Sequence, residues 1–368
     1  MKLMKKIGIC TLYYRNRNDG ANLQAYALRT VLETMGHEAE VIAYYNNTRL
    51  HWMLSAIKQK IKKKDRIADS IRIRNAAIDR FNTSIPHSEL YYVNTIDRAN
   101  SAYDCFVSGS DQVWNPDWIN RYMSLEFVHE DKCTAAYAAS TGKITLSETQ
   151  QQKLRRALDH TQHISIREKE SIPALQALTD KEIVSVLDPT MLLTAEEWDR
   201  ICSHRLIQEP YLFCYFLGGN ENLRKVARAY ADARGLKLVT LPYLNAAYRK
   251  VDDGFGDAAL YDVAPNDFLS LVKHAAFVMT DSFHAAVFSH LYERPFAVSG
   301  KRDNEMGCRM KSLTDLFGTS ERYFVDHSLV TLEALERLNG ETLAVDWAAY
   351  EAARQASFDF LRKVTTHD

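Results

Sequence analysis

Short apolar runs alternate with helical segments from one end of this chain to the other, and that alternation leaves few architectures open. In the first half, Ile7–Tyr13, Ala39–Tyr44, Cys105–Ser108, Cys133–Ala138, Ile164–Ile166 and Ile183–Leu187 read as strands. Helices such as Leu23–Met35 and Glu148–Leu158 fall between them. The pattern predicts an α/β protein with largely parallel sheets. It breaks after Asp188-Pro189 and resumes with strand Tyr211–Leu217, the turn Gly218-Gly219-Asn220, helix Leu223–Arg234 and strand Leu236–Leu241. Helix Asn266–His274, a strand ending near Met279, helix Phe283–Tyr292 and strand Phe296–Ser299 complete the second series.

At 368 residues the chain exceeds what one core usually supports. Two Rossmann-like doubly wound domains are expected, residues 1–190 and 191–340. A last helical segment, 341–368, carries apolar residues at helical spacing and is expected to pack back on the N-terminal domain. Two such domains facing across a cleft resemble the GT-B arrangement.

Composition excludes several classes. A formal net charge of −1 carries no global bias toward nucleic acid. The 6 cysteines are scattered without a CxxC pair, which suits a reducing compartment. The opening MKLMKKIGICTLYYRNR breaks its apolar run at Arg15 and reads as a first strand rather than a leader. No run approaches the roughly 20 apolar residues of a membrane helix, so a cytoplasmic location is expected. His160 and His163 form an HxxH with no cysteine or carboxylate at ligand spacing, so no metal site is expected. The basic segment Lys58–Arg80 has two readings: a solvated helix face, or an interfacial helix drawn to anionic lipid at the inner face of the cell membrane.

Chemistry-bearing residues collect just after strands, where open parallel sheets bind ligands. His284 follows Asp281-Ser282 in the first turn of a helix; alone, such a histidine more often caps or packs. Gly218-Gly219 reads either as a phosphate-contacting turn or as a plain tight turn. Asp111 either faces a ligand or caps a helix. Arg167 beside Glu168 either binds an anion or forms an ion pair.

In combination, these segments are recognisable. GANLQAYAL (Gly20–Leu28), GSDQVWNP (Gly109–Pro116), AYAAS (Ala136–Ser140), SIREKES (Ser165–Ser171), LDPTMLL (Leu187–Leu193) and TDSFHAAVFS (Thr280–Ser289) recur in order. The chain thereby resembles the polysaccharide pyruvyl transferase family. The resemblance implies a GT-B-like fold and transfer of a pyruvyl group from phosphoenolpyruvate to a sugar, forming a cyclic ketal, with no metal or other cofactor. It makes the C-terminal domain the phosphoenolpyruvate side and the N-terminal domain the acceptor side. His284 matches the family's proton-transfer histidine and Arg167 its donor-binding arginine. Family members carry a second arginine two residues before the histidine, where this chain has Ser282. Arg309 or Arg302 is expected to replace it, Arg309 being favoured, and Gly218 and Gly219 are further donor contacts. Asn22, Gln24, Asp111, Gln112 and Trp114 are expected to line the acceptor site, the amides and carboxylate toward hydroxyls and the indole toward a ring face. The acceptor implied is a sugar of a surface-polysaccharide precursor, commonly lipid-diphosphate-linked. A GT-B-type glycosyltransferase using a nucleotide sugar, or a catalytically silent family member, is the alternative reading.

Overall fold

The computed structural model describes residues 4–49, 66–242, 249–300 and 305–366. Among these residues the chain forms two compact units, each built on a six-stranded sheet.

The first unit holds the described residues of 1–65, 82–193 and 352–368. Its strands are β1 (Lys6–Cys10), β2 (Glu38–Val41), β5 (Cys105–Ser108), β6 (Cys133–Ala139), β7 (His163–Ile166) and β8 (Ile183–Ser185), in the order β2-β1-β5-β6-β7-β8. All five pairings are parallel. Two short strands, β3 (Tyr44–Tyr45) and β4 (Tyr91–Tyr92), pair separately. Thus the apolar run from Ala39 splits, its end leaving the main sheet. Helix α1 (Asp19–Thr34) starts earlier than its sequence periodicity suggests, because Asn18 accepts the Ala21 N–H and caps it there.

Helix α2 (Arg66–Ser84) packs with the second unit up to Phe81. Its buried residues include Arg74, Ala77, Ile78 and Phe81, at helical spacing. Helices α3 (Glu148–Asp159) and α4 (Ile172–Gln176) belong to the first unit. A capping box at Ser147 and Gln150 starts α3.

The second unit contains the rest of the described chain through Glu351. Its helices are α5 (Ala195–Asp199), α6 (Glu221–Arg234), α7 (Pro265–Lys273), α8 (Phe283–Leu291), α9 (Glu305–Leu316) and α10 (Leu332–Gly340). Strands β9 (Tyr211–Tyr215), β10 (Lys237–Thr240), β11 (Ala258–Ala259), β12 (Phe277–Thr280), β13 (Phe296–Ser299) and β14 (Tyr323–Phe324) form an all-parallel sheet ordered β11-β10-β9-β12-β13-β14. The central strands β9, β12 and β13 are buried along their whole length, as a sheet covered on both faces requires. Aromatic side chains fill the layers: Trp198 of α5 meets Phe288 of α8 edge-on at 5.1 Å.

Helix α11 (Trp347–Thr366) ends the chain. Its first turn lies in the second unit, where Tyr350 stacks on Phe317. From Ala352 onward it packs on the first: Ser357 Oγ accepts the Leu187 N–H at 2.9 Å, and Phe360 lies against Tyr137.

In each sheet the chain direction of winding reverses once, between β1 and β5 and between β9 and β12. Such reversal points leave a crevice at the carboxyl ends of the strands, and the motif-bearing loops follow those strands.

Candidate active site

In the second unit, β12 runs into the turn Asp281-Ser282 and then α8, whose second residue is His284. Ser282 occupies the N-cap, and its hydroxyl accepts the Ala285 N–H at 3.5 Å. His284 is 8% exposed and packs its ring edge-on to Phe283. Its position in the first helical turn puts it among amides whose dipole favours anions.

Asp281 does not cap the helix. Its carboxylate reaches across to the end of β9 and accepts the Leu217 and Gly218 N–H groups at 2.5 and 2.8 Å. Burial pushes its pKa up, against the pull of those two amides and of His327 and Arg249. The carbonyls of the same turn are held as firmly. Arg249 donates to Phe216 O and Leu217 O, and Arg224 to Gly218 O and Asn220 O, both arginines being paired with Asp252. At Gly218 this favours the tight-turn reading over the phosphate-contact one. The Gly218 N–H is already occupied by a carboxylate, and a Cβ there would meet Asp281 Oδ2 at 2.8 Å, so close approach accounts for the glycine. A Cβ on Gly219 would meet only Val251, at 3.9 Å.

Arg309 lies within α9, which packs against α8, and is buried. Burial of Met310 and Leu313 on the following turns extends the helix through it. Arg302 lies outside the described residues. His327 was not evident from sequence. It follows the two-residue strand β14, too short for a periodic signal, and hydrogen-bonds through Nδ1 to Ser299 Oγ at 2.6 Å.

In the first unit, Arg167 follows β7 as expected, but its guanidinium is committed to carboxylates. Nε donates to Glu168 and Nη1 to Asp188, at 2.9 and 2.8 Å, and Nη2 lies 3.8 Å from Asp111. Burial alone would lower the pKa of this group; the three carboxylates outweigh it and raise it. Ser110 also donates to Asp188, so the β5, β7 and β8 loops share one polar knot. The ion-pair reading of Arg167 therefore describes its contacts, and a donor anion would have to compete with these carboxylates.

Asp111 takes a left-handed φ of 69° and makes no capping hydrogen bond through its side chain, so the helix-cap reading fails. Its side chain is 17% exposed. Gln112 is half-buried and accepts the Asn115 amide at 2.9 Å. Trp114 is a correction: its indole is 0% exposed, in the core with Tyr122 and Phe127, and offers no ring face to a sugar. Asn22 and Gln24 are likewise 0% exposed, because α1 already includes them. Asn22 donates to Asn18 O and Gln24 to Thr11 Oγ1, while Asn22 Oδ1 and Gln24 Oε1 accept nothing among the described residues.

Within the basic segment, residues 58–65 lie outside the description. Further along, Arg74 donates to Val263 O and Arg80 pairs with Asp262 at 2.8 Å, so these two face the second unit's own groups. Among the described residues no helix is long and apolar enough to cross a membrane, and no group of three or more His, Cys, Asp and Glu is placed to hold a metal ion.

Solved structures share this architecture at low identity. The UDP-GlcNAc 2-epimerase of Methanocaldococcus jannaschii superposes with a TM-score of 0.56 at 11% identity, over 96% of this chain and 99% of that one. The enzyme of Rickettsia bellii gives 0.56 at 11%, over 99% and 97%. A putative UDP-N-acetylglucosamine 2-epimerase from Listeria monocytogenes gives 0.53 at 14%, over 97% of each. The fold is thus the two-unit, GT-B-like α/β class. No curated protein sequence matches the chain. A sequence profile described as polysaccharide pyruvyl transferase matches residues 18–300, and the chain belongs to that family.

Proposed function

We propose that the protein transfers the pyruvyl group of phosphoenolpyruvate to two hydroxyls of a sugar in a surface-polysaccharide precursor, closing a cyclic ketal. The observation that carries this reading is the family match over residues 18–300, which includes His284 in the first turn of α8.

His284 protonates C3 of the enol, which makes C2 electrophilic. A sugar hydroxyl adds to C2, phosphate departs, and a second hydroxyl closes the ketal. Of the two hydroxyl protons, one is accounted for at C3 and the other leaves with phosphate. Arg309, buried on the helix beside α8, supplies the cation for the donor's anionic groups, in place of the arginine absent at Ser282. On the first unit Asp111 and Gln112 contact hydroxyls of the acceptor sugar, and Arg167 holds the Asp111 carboxylate in place as a positioning residue. No cofactor is required beyond phosphoenolpyruvate as co-substrate. A lipid-diphosphate-linked acceptor would give Lys58–Arg80 a role at the cytoplasmic face of the membrane.

Incubation of the purified protein with phosphoenolpyruvate and a panel of lipid-linked sugars tests the reading. Phosphate release with a pyruvyl mass gain on an acceptor is expected, with loss of both in His284→Asn. Folded protein that releases no phosphate across the panel, and is raised in melting temperature by a nucleotide sugar but not by phosphoenolpyruvate, refutes it.

A further inference from the structure

The segment after β5 buries one indole and exposes another. Trp114 is in the core; Trp118, four residues on, is 48% exposed. Its indole is nonetheless fixed. Nε1 donates to Gln112 O at 3.0 Å, and its own N–H closes a turn on Asn115 O at 3.1 Å. The ring edge is therefore tied to the residue next to Asp111.

Polar side chains are ordered in the segment that carries it. The Gln112 and Asn115 amides are joined at 2.9 Å and close over Gly142, where a Cβ would stand 2.7 Å from each of them. Gly142 also has a φ of 61°, so both backbone conformation and space require glycine beneath the amide pair. Gln112 uses its oxygen here, while its Nε2 donates to no described group. The preceding residue, Asp117, pairs with Lys143 at 2.9 Å and accepts from Gln150 at 2.9 Å, so that pair adds no net charge.

A rigid indole face, an amide with donors to spare and a neutralised charged pair match a pyranose, which has an apolar C–H face and a rim of hydroxyls. The geometry points to Trp118 as the stacking platform of a sugar-binding subsite, with Gln112 donating to a ring hydroxyl. This deepens the acceptor side of the proposed function and rests on that reading for its placement in the reaction.

Binding can be measured without the reaction. Saturation-transfer difference NMR on the full chain, with methyl β-galactopyranoside, methyl α-mannopyranoside and methyl N-acetyl-β-glucosaminide as probes, should show transfer to protons of one ring face. In Trp118→Ala the affinity should fall about tenfold or more, and Trp118→Phe should retain most of it. The exposed side chain makes a folding defect avoidable, and an unchanged melting temperature in Trp118→Ala confirms that. Equal binding by wild type and Trp118→Ala, or no transfer from wild type to any of the three probes, overturns the platform. If the probes bind through Trp118 but phosphoenolpyruvate is never consumed, the subsite stands and the pyruvyl reading falls. If phosphoenolpyruvate is consumed and Trp118→Ala leaves the acceptor KM unchanged, the reverse holds.

Discussion

Asp281 Oδ2 accepts the Gly218 N–H at 2.8 Å, so the acid three residues before His284 anchors the turn that ends the neighbouring central strand. The same carboxylate takes the Leu217 N–H. Two loops at the winding reversal of the second sheet are thereby joined through one side chain, which sets the entry into α8.

Removing that carboxylate should loosen both loops. Asp281→Ala leaves two partly buried N–H groups without an acceptor and is expected to cost roughly 1–3 kcal/mol in urea unfolding. Gly218→Ala forces a Cβ onto Asp281 Oδ2 and should cost a similar amount, about 1–3 kcal/mol. Because both variants break one contact, the double variant should lose clearly less than the sum; full additivity would argue against the coupling.

Arg167 balances three carboxylates, two of them almost wholly buried, so Arg167→Met should destabilise by about 3–5 kcal/mol at pH 7.5. Orphaned acids take up protons, which makes the deficit smaller at pH 5.5. Arg167→Lys should not restore the wild-type value, since one ammonium cannot serve three acceptors arranged around a planar fork. Denaturation at the two pH values checks this, and a pH-independent deficit would count against it.

His290 of α8 is fully buried, hydrogen-bonded to Ala286 O and Thr319 Oγ1, and stacked on Phe317 at 4.2 Å. Burial lowers its pKa to about 3. A base depressed in the folded state contributes stability that is present above its unfolded pKa and lost as pH falls toward the folded one. The window is about pH 6.5 down to about 3, with roughly 2 kcal/mol lost between pH 7 and pH 5. His290→Gln, which does not titrate, should flatten that slope in a urea series.

Cys105 and Cys133 are register partners on β5 and β6, and the Cys105 thiol donates to Cys133 Sγ at 2.7 Å. That hydrogen bond, with Lys5 nearby, lowers the Cys133 pKa, whereas burial raises those of Cys10 and Cys214. Iodoacetamide on native protein at pH 7.5 should label Cys133 before Cys105, Cys10, Cys202 and Cys214. Peptide mass spectrometry at short times reads the order directly.

The amino-acid order alone determined the parallel α/β character, most strands to within a residue or two, and the placing of His284 in a first helical turn. Those features are local: apolar period, caps and turn residues act over a few positions. Tertiary structure decided which polar and aromatic side chains are spent inside the fold. Nothing in GSDQVWNPDW distinguishes a core Trp114 from an exposed Trp118, because burial depends on what the rest of the unit packs over each. Likewise the acceptor of the Gly218 N–H, two of the three carboxylates around Arg167 and the partner of His327 come from other strands or the loops that follow them. Hydrogen-bond partnership between such groups is a property of sheet order and register, which no short window of residues contains.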